Sequence, residues 1–137
     1  MEVKFLLDTS VLTRMPLDTV RSVVRAMWLA GGVGCTTMSA MEYTYSARND
    51  DEWDAARNAL AVFVHLPVEH RHFERASQVQ RMLAQRSQKG RKIPDLLNAA
   101  VAEELNATVL HYDTDFDHIA GVTGQKVSWV VPRGTVD

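Results

Sequence analysis

A pattern repeated along the chain constrains its fold most: a short, mostly apolar run, then a segment with helical spacing, then another short run. The runs are Val3–Leu7, Val33–Thr36, Val62–Leu66, Thr108–Tyr112 and Val127–Val131. None keeps the regular polar alternation of a half-exposed strand, so each reads as a strand of a parallel sheet buried on both faces. Between the first two, Asp18 is placed to cap a helix carrying Val20, Val23, Val24, Met27 and Trp28 on one face, and Gly31 and Gly32 end it. A helix over Ser39–Ala47 follows the second run. The cluster Asn49, Asp50, Asp51, Glu52 and Asp54 then suits a helix N-terminus, and Trp53, Ala56, Leu60 and Phe63 continue that helix. A long basic helix is expected over Glu69–Ser87, packed through Phe73, Ala76, Val79, Met82 and Leu83. Gly90 breaks it, and Pro94 opens a helix through Leu105 that is apolar on nearly every side. Asp115–Ala120 adds one or two helical turns before the last run. Strands alternating with helices imply right-handed crossovers and a parallel sheet covered on both faces. At 137 residues the chain is expected to form one domain, 1–137.

Composition narrows the class further. With 46% hydrophobic and 23% charged residues the chain is ordinary globular protein, which excludes disorder. No apolar run approaches the ~20 residues needed to span a bilayer. The start of the chain lacks a basic region and reaches Asp8 early, so no signal peptide is expected. The single cysteine, Cys35, leaves no disulfide framework and no cysteine-cluster zinc site. A cytoplasmic protein without a membrane partner is the expectation. The net charge of −2 is unevenly spread: Arg71, Arg75, Arg81, Arg86, Lys89, Arg91 and Lys92 stand against Glu74 alone, leaving the remainder strongly acidic. Such a window fits either a solvated helix face or contacts with nucleic-acid phosphates.

The acids lie where a parallel sheet places its ligands, beyond the carboxyl ends of the strands. Asp8 follows the first run and Asp113 the fourth. Glu42 sits in the helix after the second, Asp95 in the first turn of the apolar helix, and Asp115 and Asp117 follow Asp113 at alternate positions. Each acid alone is explained by capping or a turn. Together they are not, provided the first and fourth strands are neighbours: two carboxylates ~4 Å apart repel by roughly 4 kcal/mol at an effective dielectric near 20. A hard divalent cation, Mg²⁺ or Mn²⁺, resolves the repulsion and suits a site that also takes phosphate.

Other sites fail on spacing. The run Asp113-Thr-Asp115-Phe-Asp117 mimics a calcium loop, but His118 and Gly124 occupy its glycine and glutamate positions. His70 and His72 have no third zinc ligand nearby, and no phosphate-binding or nucleophile-elbow glycine motif is present.

The ordered set Leu6-Leu7-Asp8-Thr9-Ser10-Val11, Ser39-Ala40-Met41-Glu42, Asp95-Leu96-Leu97-Asn98-Ala99-Ala100 and Asp113-Thr114-Asp115-Phe116 resembles the PIN-domain family over nearly the whole chain. The short single-domain form and the ending Asp113–Ala120 look like VapC-type toxins of bacterial toxin–antitoxin systems. The resemblance implies a three-layer α/β/α sandwich with a mainly parallel sheet of about five strands, and a magnesium-dependent endoribonuclease. It maps Asp8, Glu42, Asp95 and Asp113 onto the family's acidic quartet, with Asp115 an additional acid and Thr9 and Ser10 at the hydroxyl positions. It also implies a homodimer and a cognate antitoxin, hence a toxin–antitoxin hetero-oligomer.

On this reading Asp8 and Asp95 are expected as direct metal ligands, Glu42 orients the attacking water or holds a metal through water, and Asp113 completes a second metal position. Lys89, Arg91 and Lys92, in the loop leading to Asp95, are the expected RNA contacts. Asn98 stands where the family usually carries an aliphatic residue, which reads either as a polar contact near the site or, the favoured reading, as a neutral change. Trp28, Trp53, Phe63 and Phe73 are read as core. The rival from another class is a catalytically inactive PIN-like module that binds nucleic acid or a regulatory partner.

Overall fold

The computed structural model describes residues 2–137. Its elements run β1 (Phe5–Leu7), α1 (Thr9–Leu12), α2 (Asp18–Ala30), β2 (Val33–Thr36), α3 (Thr37–Thr44), α4 (Asp50–Leu60), β3 (Val64–Leu66), α5 (His70–Gln85), α6 (Ile93–Glu104), β4 (Thr108–His111), α7 (Asp115–Thr123) and β5 (Val127–Trp129). Every strand pairing is parallel, in the order β3-β2-β1-β4-β5. Residues in successive positions of a strand face opposite sides, and here both sides are apolar. Leu6 and Val109 pack with Ala76, Val79, Leu83, Leu96, Phe116 and Ile119 of α5–α7. Leu7 and Leu110 pack with Val11, Val20, Val24, Ala40 and Leu60 of α1–α4. These two cores make the molecule a three-layer α/β/α sandwich, as expected.

β1 is central, with β2 on one side and β4 on the other, at Leu7↔Leu110. The order reverses between β1 and β4, which opens a crevice beyond their carboxyl ends. Asp8 sits at that point. It caps α1, its backbone extended and its side chain accepting from Ser10 N–H, while its own N–H donates to Leu110 O at 3.0 Å.

Several details differ from the sequence expectation, each for a physical reason. The turn at Thr9–Leu12 is helical because Asp8 caps it. Helix α2 is preceded by Leu17, and Asp18 lies inside its first turn, ion-paired with Arg21. Strand β3 is shorter than the apolar run that suggested it, since Phe63 N–H closes back on Leu60 O. Of the aromatics read as core only Phe63 is buried, while Trp28, Trp53 and Phe73 are 44%, 46% and 49% exposed. Among the described residues no helix is long and apolar enough to cross a membrane.

Gly90 shapes the loop before α6. Its φ of +95° is open to glycine, and a Cβ there would lie 3.0 Å from Asp115 O and 3.1 Å from His118 Cβ. The chain therefore runs flush against the start of α7, which brings Lys92 over the crevice.

Candidate active site

Three elements deliver carboxylates to the crevice. Asp95 lies in the first turn of α6, with Pro94 one residue before it, and is buried. Asp113 follows β4, and its Oδ1 accepts from Asp115 N–H at 2.9 Å, so one acid folds the turn that places the next. Asp115 opens α7. One oxygen from each of Asp95, Asp113 and Asp115 falls within 4.8 Å of the others, the metal-capable cluster found among the described residues.

A single ammonium answers these three acids. Lys92 Nζ lies 2.9 Å from Asp113 Oδ2, 3.2 Å from Asp115 Oδ2 and 3.5 Å from Asp95 Oδ2. Its hydrogen bond to Asp113 holds its pKa above the ordinary lysine value. Burial, then the charges of Asp8 and Asp113, push the Asp95 carboxyl up to about 8, with Lys92 offsetting part of the rise. Burial acts on Asp113 in the same sense, but the Asp115 N–H and the Lys92 ammonium outweigh it and hold that carboxyl below its usual range.

Asp8 and Glu42 stand outside the three-acid cluster. Asp8 Oδ2 accepts from Ser10 N–H at 2.9 Å and Ser10 Oγ–H at 2.6 Å, and Oδ1 accepts from Asn98 Nδ2 at 2.9 Å. Ser10 Oγ in turn accepts from Tyr112 N–H at 2.9 Å, tying the ends of β1 and β4 together. Glu42 is exposed on α3, and its Oε1 accepts from Thr9 Oγ1 at 2.6 Å. Asp8, expected beside Asp113, bears on the cluster through its charge on Asp95, and Asp115 is the acid that joins Asp95 and Asp113.

Of the basic residues expected to meet RNA, Lys89 and Arg91 are exposed and make no ion pair among the described residues, whereas Lys92 is engaged by the acids. Arg71 and Arg75 are tied to Glu104 and Glu103 of α6. Sequence reasoning gave no role to two further side chains. His111 is fully buried between Phe116 and Trp129, each ring 5.0 Å away, and its Nδ1 accepts from Asp113 N–H at 3.2 Å. Burial lowers its pKa, so it is a neutral prop beneath Asp113. Asn98, read as neutral, is buried and hydrogen-bonded to Asp8, Ser39 and Thr36. A polar residue in the middle of the apolar run Leu96–Ala102 was the signal that could have found it.

The family model for the PIN domain matches residues 5–122. The chain is 50% identical to Ribonuclease VapC51 of Mycobacterium tuberculosis over 137 residues, all of both proteins. It is 38% identical to Ribonuclease VapC18 of the same organism over 123 residues, 85% of this chain and 90% of that one. Among solved structures, the VapBC2 complex from Rickettsia felis bound to a DNA fragment from their promoter contains a chain with the same fold. The TM-score is 0.78 at 13% identity, covering 92% of this chain and 98% of that one.

Proposed function

The chain belongs to the PIN-domain family, and from that premise we propose that it is a metal-dependent endoribonuclease, the toxin of a type II toxin–antitoxin pair. Residues 1–137 act as one nuclease domain in the cytoplasm, as a homodimer, and a cognate antitoxin joins it in a hetero-oligomer. The observation that carries the reading is the convergence of Asp95, Asp113 and Asp115 within 4.8 Å at the crevice between β1 and β4.

The residues fit a divalent ion. Asp95 Oδ2 is buried and makes no hydrogen bond, with only the Lys92 ammonium 3.5 Å away to answer it, and the ligand atoms in reach are all carboxylate oxygens. That set suits Mg²⁺, or Mn²⁺, rather than a soft metal. Asp95, Asp113 and Asp115 would hold the ion, with Asp8 beside them. Bound there, it would acidify a water and polarise a phosphodiester.

The chain supplies the rest. Asp95 must give up its proton before it can act as a ligand. Lys92, whose ammonium lies at the mouth of these carboxylates, would offer it to a phosphate oxygen. Glu42 keeps Oε2 free, because Thr9 binds Oε1, and takes the proton of the attacking water there. Lys89 and Arg91 hold flanking phosphates. No side-chain nucleophile is required.

The test is cleavage of total cellular RNA by purified protein with Mg²⁺, with EDTA and with Asp8→Asn. Discrete fragments that need the metal and vanish in the variant are expected. No cleavage with any divalent ion, in antitoxin-free protein, would leave the inactive binding module as the better reading.

A further inference from the structure

We propose that Asn98 is a positioning residue for the reaction, fixing the Asp8 carboxylate and locking it to the helices that carry Asp95 and Glu42. The inference rests on the ribonuclease reading above and adds to it a residue outside the acid set. Asn98 lies three positions after Asp95 on α6, so the two side chains share a helix face and reach the crevice together. It is 0% exposed, in a helix whose neighbouring side chains are apolar.

Every polar atom of its amide is used. Nδ2 donates to Asp8 Oδ1 at 2.9 Å and to Ser39 Oγ at 2.9 Å, and Oδ1 accepts from Thr36 Oγ1 at 2.7 Å. Thr36 Oγ1 also accepts from Ser39 N–H at 3.1 Å, capping α3. The direction of this chain is determined. The Ser39 N–H can only donate, so Thr36 Oγ1 accepts from it, and the amide oxygen faces that hydroxyl while the nitrogen faces Asp8 and Ser39 Oγ. Thr36 Oγ1 already accepts from Ser39 N–H, so its hydroxyl proton is free for Asn98 Oδ1.

One side group therefore joins the end of β1, the N-terminus of α3 and the first turns of α6. Asp8 has roughly four acceptor positions, and Ser10 and Asn98 occupy three. The carboxylate is held at both oxygens with one acceptor position to spare. An aliphatic residue at position 98 would fill the volume and leave Asp8 Oδ1, Ser39 Oγ and Thr36 Oγ1 each short of a partner.

The experiment compares wild type with Asn98→Leu, measuring Mg²⁺ affinity of RNA-free protein by calorimetry, then kcat and KM for a mapped RNA, with folding followed by circular dichroism. Removing a group that orients a metal-site carboxylate should lower Mg²⁺ affinity and kcat by about 10–100-fold, with KM little changed. A purely structural role would lower the melting temperature and leave the metal affinity of the folded protein intact, and that result overturns the proposal. Should Asn98→Leu not fold, Ser39→Ala keeps every Asp8 bond and frees only the second amide hydrogen. A smaller fall in Mg²⁺ affinity is expected there, and an unchanged value overturns the proposal. Wild-type protein that binds no divalent ion and cuts no RNA removes the ribonuclease reading itself, and this inference with it.

Discussion

Two regions of the molecule bring acids and bases together with opposite results. Along the seam of α5 and α6, Arg75 meets Glu103, and Arg71 and His72 meet Glu104. Cations there at least match carboxylates, and the hydrogen bonds from Arg71 and then His72 draw the Glu104 carboxyl down to about 2. At the crevice, Asp95, Asp113 and Asp115 share Lys92 alone among the described residues, and the buried Asp95 is driven up to about 8 instead. The first region is an ion-paired surface that joins two helices. The second holds more negative charge than its own residues can satisfy, which is the mark of a site built for a cation from outside.

The contrast is open to direct attack. The largest effect should come from Asp95→Asn, which removes the most strained acid of the cluster: on the proposed metal-dependent reaction, cleavage should fall by at least about a hundredfold, because a catalytic metal contributes several kcal/mol. Chelated protein carrying this change should melt higher than chelated wild type.

A pH series on metal-free protein comes next. The folded Asp95 keeps its proton up to about pH 8, whereas the unfolded chain loses it near the ordinary value. The folded state binds more protons in that interval, so its stability falls as pH rises from about 4 towards 8, by no more than about 1.4 kcal/mol per unit, and then levels. Thermal melts in EDTA should show this decline, and Asp95→Asn should flatten it. A decline of equal size in the variant would assign it to other groups.

Replacing Lys89 and Arg91 together with alanine should weaken RNA binding several-fold and reduce its salt dependence, with Mg²⁺ affinity unchanged. If Mg²⁺ affinity moved as well, the loop would belong to the metal site and not to an RNA-binding rim. The smallest effect belongs to the seam: Arg75→Ala with Glu103→Ala should show a coupling of at most about 1 kcal/mol in a double-mutant cycle and cleave RNA at the wild-type rate.

What the sequence could show follows from the range of each signal. Apolar runs closed by acids located Asp8 and Asp113, because both depend on strand ends that local composition marks. The adjacency of β1 and β4 brings both to the crevice, but Asp113 clusters with Asp95 and Asp115, and Asp8 stands outside that cluster. Asp115 was harder to rank, since its place in the cluster depends on the turn that its own N–H makes with Asp113. Lys92 was expected to face RNA because spacing cannot reveal that Gly90 lays the loop against α7 and turns the ammonium inward. Helical periodicity put Trp28, Trp53 and Phe73 on faces but could not say whether those faces are covered. Asn98 was misjudged for a related reason: its partners Asp8, Thr36 and Ser39 are distant in sequence, and only the folded chain brings them to it.

The central place of β1 also governs when activity can arise during synthesis. Asp8, Thr9 and Ser10 leave the ribosome early, yet β1 completes its pairing only with β4, and Asp113 and Asp115 come after that strand. The contacts that assemble the crevice are among the longest-range in the chain, the kind that form late because loop closure must precede them. A nascent chain therefore carries no complete nuclease until most of it has been made. A chain that ends before β4 lacks both Asp113 and Asp115 and the strand that would seat them beside the end of β1.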